Sequence, residues 1–326
     1  MYGIDKVKLV MDLEDIDIID EDLFTKKVEG DELVELTFKQ IKPFALKCKI
    51  DYRKHEVVIE FTGKVLLSCY HQLIRLSNIK MYIDNINKLG ICHIKSYMSA
   101  SVVVCDITND YEVCNVRELS EYIQNNLSSY KKYTPETLPN GNFVVKKNVT
   151  SKQCKKRLTI YDKGKEMYKS ENRKFLEDYY NDVNPFSGKC RFELNLNSQA
   201  QIRSSLNISD TSLKSVLLAA QSVNPIVEFL SDILCEDIDF EGEQISSVEE
   251  LKKYALLKIC DFDIMKVRSM LDRYKAKGTK MRAMLKPYRE ILAKLSDKKP
   301  TYTRDVILNL VRTTTQITPK MILDCM

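Results

Sequence analysis

Through residue 205 the dominant hydrophobic pattern is alternation, the period of a half-buried strand, and beyond it the pattern shifts to the 3.6-residue period of helices. Ile4 to Met11 predict a first strand, followed by an acidic loop from Asp12 to Asp22. Leu46 to Tyr52 and Glu56 to Phe61 flank Arg53-Lys54-His55 and predict a β-hairpin that Gly63 ends. Ile79, Tyr82, Ile83 and Ile86 recur at helical spacing, so Ser77 to Leu89 predicts a helix with Ser77 as N-cap and Gly90 as its stop. Val102 to Cys105 is a continuous apolar strand running into Asp106-Ile107-Thr108-Asn109-Asp110, and Val116 to Tyr130 predicts a helix. Leu138 to Asn142 is a turn, and Phe143 to Val149 a further strand.

In the last third, Leu213, Val216, Leu217 and Ala220 keep helical spacing, and Ser247 to Glu250 forms a capping box. Met281, Met284, Leu285, Tyr288, Leu292 and Leu295 form a core stripe in which Pro287 predicts a kink. Thr303 and Thr318-Pro319 start two short final helices. The expected fold is α+β, a mostly antiparallel sheet with helices on one face, followed by an all-α C-terminal domain. The expected domains are residues 1–205 and 206–326, the second basic and suited to DNA binding or assembly.

Two strand segments carry polar groups of an unusual kind. In Arg157-Leu158-Thr159-Ile160-Tyr161-Asp162-Lys163-Gly164-Lys165-Glu166, Leu158 and Ile160 share one face while Thr159, Tyr161 and Lys163 share the other. In Cys190-Arg191-Phe192-Glu193-Leu194-Asn195-Leu196, the apolar Phe192, Leu194 and Leu196 oppose Arg191, Glu193 and Asn195. With both apolar faces in one core, the opposite face displays a tyrosine, a lysine, an arginine and a carboxylate. That set defines a candidate phosphodiester-cleaving site. Asp106, in a row of residues suited to burial, needs a cation or hydrogen-bond donors nearby. Glu60 lies opposite Ile59 and Phe61 and faces either solvent or a site.

Composition narrows the chemistry. Apolar residues are 44% and charged residues 30% of the 326, ordinary for a folded chain, so disorder is not expected. The net charge of +5 is a weak sign of a polyanionic partner, and its distribution says more. Lys146, Lys147, Lys152, Lys155, Lys156 and Arg157 lead into the Tyr161 segment, with Lys163 and Lys165 beyond it and Tyr130, Tyr133 and Tyr168 around it as base-stacking candidates. A second basic set, Lys266, Arg268, Arg273, Lys275, Lys277, Lys280, Arg282, Lys286 and Arg289, accompanies the C-terminal helices. Ten dispersed cysteines without a CxxC pair, and no signal peptide, predict reduced thiols in a cytoplasmic protein. No apolar run reaches membrane-span length, so no membrane partner is expected. Only His55, His71 and His93 are present, without metal-ligand spacing, which argues against zinc.

A tyrosine phenol with a pKa of about 10 is a poor nucleophile unless positive charge is close. Lys163 is placed to supply that charge. Asp106 and Glu193, as hard oxygen donors, suit Mg²⁺ or Mn²⁺.

Tyr161-Asp162-Lys163-Gly164-Lys165-Glu166 and Arg191-Phe192-Glu193 resemble the Tyr-x-Lys-x-x-Glu and Arg-Phe-Glu segments of rolling-circle replication initiators, of the filamentous-phage gene II type and the plasmid Rep_trans type. Cys105 to Asp110 resembles the family's Arg-x-Asp segment, and Ile4 to Leu9 and Val58 to Phe61 are similar more loosely. The resemblance spans roughly residues 1 to 200 and implies an HUH-endonuclease-like domain that nicks and religates single-stranded or hairpin origin DNA with Mg²⁺ or Mn²⁺. It implies Tyr161 as the nucleophile of a 5′-phosphotyrosyl intermediate, Asp106 and Glu193 as metal ligands with Glu60 as a further candidate, and Lys163 and Arg191 as phosphate contacts. Asp110 and Glu166 are reserve carboxylates. Two departures stand out: His93-Ile94-Lys95 supplies one histidine where the superfamily has two, and Val104 stands where the Arg-x-Asp segment has arginine. A host helicase and a homodimer are compatible with this setting. The alternatives are a plasmid mobilisation relaxase with the same chemistry, and a non-enzymatic DNA-binding copy-control protein or repressor.

Overall fold

The structure, a computed structural model, describes residues 2–113, 115–127, 133–139, 141–147, 156–235, 247–274, 280–295 and 302–312. Its strands are β1 (Gly3–Asp12), β2 (Ile16–Ile18), β3 (Thr25–Glu29), β4 (Glu32–Gln40), β5 (Leu46–Asp51), β6 (Glu56–Thr62), β7 (Cys92–Ile94), β8 (Ser101–Glu112), β9 (Tyr133–Thr137), β10 (Phe143–Lys147), β11 (Arg157–Asp162) and β12 (Lys189–Leu196). The helices are α1 (Ile79–Asn87), α2 (Val116–Asn125), α3 (Lys163–Met167), α4 (Ser170–Tyr180), α5 (Gln199–Leu206), α6 (Leu213–Ser222), α7 (Pro225–Ile233), α8 (Val248–Ile259), α9 (Ile264–Tyr274), α10 (Met281–Leu295) and α11 (Arg304–Arg312).

Ten strands form one sheet in the order β3-β4-β5-β6-β1-β8-β12-β11-β10-β9, and β2 pairs with β7 apart from it. Every pairing whose register is described is antiparallel. The order contains an internal repeat. A first strand (β1 or β8) is followed by four meandering strands, and the last of them (β6 or β12) returns to pair with the first. The two halves meet where β1 pairs β8. The expected α+β fold with an antiparallel sheet is therefore present.

Residues directly opposite in an antiparallel ladder share a face, so the register sorts the side chains. One face carries Val7, Leu9, Ile59, Phe61, Cys105, Ile107, Leu194, Leu158 and Ile160, all buried. On this face α1 buries Ile79, Tyr82, Ile83 and Ile86, with the Tyr82 ring 5.6 Å from that of Phe61. Asn78, not Ser77, caps α1, and its side chain bonds the backbone of Leu73 and Arg75 at 2.7 and 2.8 Å.

Helices were expected on one face only, but the opposite face is also covered where β8, β12 and β11 run. There the 3-10 segment Gly63–Gln72, α3 and α4 bring Tyr70, Phe175, Leu176 and Phe186 together as a second small core. The covering elements pack through these apolar side chains, and the charged residues of the sheet that they bury are then forced to pair.

The chain forms two compact units, the first from described residues of Met1–Val116, Pro135–Glu228 and Val311–Met326, the second from those of Arg117–Thr134 and Phe229–Leu310. α5 and α6 belong to the sheet unit. The second unit has its own core, Leu257, Cys260, Ile264, Val267, Leu285 and Ile291, from α8, α9 and α10. Ser247 caps α8 by accepting from the Glu250 amide at 3.2 Å, and Pro287 lies within α10, as the sequence indicated. The sequence reading missed β3, β4 and α4 altogether. Lys275, Lys277, Tyr130 and Thr318-Pro319 lie outside the described residues. No single helix among the described residues is long and apolar enough to cross a membrane.

Because Leu194 is fully buried on β12, between β8 and β11, Leu194→Ala is expected to cost about 2–5 kcal/mol. Denaturant unfolding followed by tryptophan-free far-UV dichroism would read this as a lowered midpoint.

Candidate active site

Three rows of side chains cross the polar face of β11, β12 and β8. Tyr161 is opposite Arg191, which is opposite Asp110; Thr159 is opposite Glu193, which is opposite Thr108; Arg157 is opposite Asn195, which is opposite Asp106. The third row continues onto β1, where Lys6 is opposite Asp106. A β-bulge in β1, between Ile4 and Lys6, leaves Asp5 as the extra residue and turns its carboxylate toward Arg191.

Arg191 is fully buried. Its guanidinium donates to both oxygens of Asp110, at 2.6 and 2.7 Å, and to the Tyr70 hydroxyl at 2.9 Å. Nη1 also lies 3.1 Å from Asp5 Oδ1. The guanidinium carbon sits 5.3 Å from the ring centres of both Tyr70 and Phe186, within cation–π range. Burial pushes the Asp5 pKa up, but Arg191, then Lys163, Tyr70 and Lys64, outweigh it and hold the carboxyl below its ordinary value. Arg191 is thus committed to internal carboxylates.

Beside this cluster, the Tyr161 hydroxyl donates to Glu193 Oε1 at 2.5 Å. Burial, then the nearby carboxylates of Asp5 and Asp106, push Glu193 up to about 8, against the opposing pull of Arg191 and Lys163. Burial, then Glu193, push the Tyr161 phenol well above its ordinary value. Lys163 does not continue the strand as expected. Asp162 ends β11 and caps α3, accepting from the Lys165 amide at 2.9 Å, and Lys163 opens that helix. Its ammonium nevertheless returns to the site, 5.6 Å from the Tyr161 ring centre and 2.7 Å from Glu166 Oε2. Asn172 bonds Glu166 Oε1 at 2.5 Å and accepts from Lys64, linking both lysines through one carboxylate and one amide. Burial, then Lys163, lower the Lys64 pKa.

Tyr161, Glu193, Thr159, Glu166, Arg157, Lys169 and Glu171 line an open cavity of about 260 Å³, together with Leu138, Asn142 and Val144. Two glycines make the close packing around it attainable. A Cβ on Gly63 would lie 2.8 Å from both Asp5 Oδ1 and the Tyr70 ring, and one on Gly164 would lie 2.9 Å from the Phe186 carbonyl. The Gly63–Gln72 segment that delivers Lys64 and Tyr70 is backbone-strained, with Leu67 at φ 52°, ψ −117° and Leu73 at φ 58°.

Among the described residues the basic run is divided between the two faces of the sheet. Arg157 lies on the site face and donates to Asn195 Oδ1 at 2.5 Å, and Lys146, opposite it on β10, pairs with Glu136. Lys156 bonds the Ser205 hydroxyl on α5 at 2.9 Å, Lys147 is half-buried, and Lys165 is exposed 3.4 Å from Asp162. Lys152 and Lys155 lie outside the described residues.

Of the three carboxylates expected to hold Mg²⁺ or Mn²⁺, Glu60 is engaged by Lys6 at 2.6 Å. Asp106 and Glu193 share the site face, and burial pushes Asp106 up to about 6. No group of three or more His, Cys, Asp or Glu side chains suited to a metal comes together among the described residues. Asp106 and Glu193 are hard oxygen donors of the type a Mg²⁺-like cation takes, one or two at a time, with water and phosphate completing its shell. Asp5, Lys64, Tyr70, Asn172 and Lys169 escaped the sequence reading. Of these only Asp5 left a trace, as a lone carboxylate in the otherwise alternating first strand. No family model, curated protein or solved structure matches the chain.

Arg191→Met leaves Asp5 and Asp110 buried without their cation and is expected to lower stability by about 3–5 kcal/mol, read from denaturant midpoints. Glu193 gives a pH signature. Its folded pKa of about 8 exceeds its ordinary 4.5, so the folded state holds a proton that the unfolded state has lost. Its contribution to stability is complete below 4.5 and disappears as pH rises through 8. In Glu193→Gln, the thermal midpoint is expected to fall less than that of the native chain between pH 5 and 8.

Proposed function

We propose that this chain is a tyrosine nickase and religase acting on single-stranded DNA, in the role of a rolling-circle replication initiator. The observation that carries the reading is the 2.5 Å bond from the Tyr161 hydroxyl to Glu193 at the wall of an open cavity that also presents Arg157 and Lys169. A nucleophilic phenol needs a base within hydrogen-bond reach and a nearby cation, and general bases work best when their pKa lies near the working pH. Glu193 and Lys163 meet these two needs, and the cavity presents cations where a phosphodiester would sit.

In this reading the ionised Glu193 takes the Tyr161 proton as the phenol oxygen attacks phosphorus. The P–O3′ bond breaks, the electron pair leaves with the 3′ oxygen, which takes up a proton from water, and the 5′ phosphate stays on Tyr161. Lys163, held in place by Glu166, stabilises the developing phenolate through its position over the ring. Arg157 and Lys169 hold the non-bridging oxygens. Religation is the reverse: the free 3′ hydroxyl attacks phosphorus and gives up its proton to water, while Glu193 returns its proton to the departing Tyr161 phenolate. A divalent ion held by Asp106 and Glu193 would add charge neutralisation at the phosphate. Arg191, assigned to phosphate in the sequence reading, has the different role of setting the Asp5, Asp110 and Tyr70 frame behind Tyr161.

The buried Tyr161 ring and its raised phenol pKa favour a second reading, DNA binding without cleavage, in which the Tyr161–Glu193 bond is structural. One assay separates the two. Incubated with origin-containing single-stranded DNA and Mg²⁺ or Mn²⁺, the native chain is expected to yield a covalent protein–DNA band that Tyr161→Phe lacks. Absence of the band in the native chain, or its survival in the variant, decides for the second reading. Because Glu193 must be ionised to act, single-turnover adduct formation is expected to rise as pH rises through about 8.

A further inference from the structure

The chain's positive charge is gathered in its second compact unit. Residues 248–295, which span α8, α9 and α10, hold 13 lysines and arginines against 6 aspartates and glutamates, so their net +7 exceeds the +5 of the whole chain. The rest of the chain is therefore slightly acidic, at −2. The three helices share one core, and α10 packs along both of its neighbours while α8 and α9 touch each other less. Between α8 and α9 the chain turns in four residues, Cys260 to Asp263, with Asp261 and Phe262 both left-handed at φ 53° and 56°. The Phe262 amide donates to the Leu257 carbonyl at 2.7 Å, and the Asp263 carboxylate accepts from the Met265 amide at 2.7 Å. One helix is closed and the next opened within that turn. Two helices joined by so short a turn and braced by a third share the layout of helix-turn-helix DNA readers.

The second of the pair, α9, buries Ile264 and Val267 and packs Leu271 against the same core. At 3.6 residues per turn its opposite side carries Lys266, Ser269, Met270 and Arg273, all exposed and none of them acidic. Asp272 is exposed too, but lies about a quarter turn from the centre of that stripe. Lys266 is 2.6 Å from Asp261, with both side chains more than half exposed, and a pair so open to water is worth little and yields readily to a phosphate. Arg273 forms no ion pair among the described residues. Met270 is the one apolar member of the stripe, so burial of apolar surface gives a protein partner little to gain, whereas two cations flanking a hydroxyl suit a polyanion. With side chains an α-helix is about 10–12 Å across, and the major groove of duplex DNA, about 12 Å wide, admits it. The deep, narrow major groove of duplex RNA does not.

We propose that α9 is a recognition helix that lies in the major groove of double-stranded DNA, with Lys266, Ser269 and Arg273 facing the duplex. The site draws on no residue of the Tyr161 cavity, which belongs to the other unit, and it holds whether or not the chain nicks DNA.

Fluorescence anisotropy of the full chain with a labelled, blunt-ended duplex of mixed sequence is the readout, in chelator so that no strand is cut. Lys266→Gln/Arg273→Gln is expected to bind the duplex about tenfold more weakly, with the slope of log K against log salt reduced by about two. Ser269→Glu sets a carboxylate in the middle of the stripe and is expected to lose at least as much. All three substituted side chains are exposed, and an unchanged far-UV dichroism and thermal midpoint verify that the variants fold. Lys80→Gln/Lys88→Gln removes the same charge from exposed positions in and just after α1, in the other unit, and should bind as the native chain does.

Native affinity and slope in the double variant overturn the proposal. So does an equal loss in the control, which would make the effect one of net charge, and so does a native chain that fails to bind the duplex. A double variant that keeps duplex DNA and loses only oligothymidylate, duplex RNA or anionic phospholipid vesicles overturns it as well. Displacement of the native chain by netropsin, which occupies the minor groove, overturns the groove assigned. A native chain that binds the duplex as expected yet forms no covalent adduct on single-stranded DNA retains the α9 site and removes the nickase. A chain that forms the adduct and ignores the duplex does the reverse.

Discussion

The buried guanidinium of Arg191 is the constraint on which the site face depends. It joins Asp110 on β8 and Asp5 on the β1 bulge to β12, and it draws in Tyr70 from the Gly63–Gln72 segment. A charge taken out of water this completely is tolerable only with its donors satisfied, and here each partner arrives from a different element. That requirement explains features that otherwise look unrelated. The bulge exists where a regular strand would aim Asp5 elsewhere. Gly63 is needed because any Cβ would meet Asp5 and the Tyr70 ring. The strained backbone at Leu67 and Leu73 brackets the turn that delivers Tyr70.

The same cluster sets the electrostatics of its neighbour. Glu193 lies one row away on β12, close enough to feel Asp5 and Asp106 as well as Arg191. Burial and the two carboxylates win over the one arginine, because Arg191 is already neutralised by Asp110. The outcome is a carboxyl that takes up a proton near pH 8 beside a phenol that resists ionisation. Below about pH 8 neither group carries charge, and the phenol keeps its proton.

Much of this was legible in the sequence, but unevenly. Alternation in Arg157 to Asp162 and in Cys190 to Leu196 identified the polar face and put Tyr161, Arg191 and Glu193 on it, and the register bears that sharing out. Period alone could not place Lys163: the N-cap role of Asp162 turns the chain into α3, and the lysine reaches the site over Tyr161 by helix geometry instead of strand alternation. Nor could it distinguish an arginine that meets substrate from one that meets Asp5 and Asp110, since those partners are remote in sequence. Strand β3 is exposed throughout and mostly charged, so it carries no alternation, whereas β4 alternates Val34, Leu36 and Phe38 with polar residues and was open to the same reading. The basic run from Lys146 to Arg157 read as one surface, yet neighbouring residues on a strand point to opposite sides, which sends Arg157 to the site and Lys156 to α5.

The internal repeat gives these observations a common frame. Both halves of the sheet use a leading strand and a returning meander, and the two leading strands pair at the centre. Both therefore offer the same two faces, and one of these is apolar from end to end under α1 and α6. On the other face the halves diverge. One is roofed by Gly63–Gln72, α3 and α4, and the low-dielectric setting this creates is what raises Glu193 and forces Arg191 into pairs. The other carries charges of both signs, with Lys39, Lys47, Glu60 and Lys8 in one row and Glu35, Asp51, Glu56 and Asp12 in another. Roofing one half and leaving the other open divides a single sheet face into a site where proton affinity is tuned by burial and a hydrated surface whose paired charges are screened by salt.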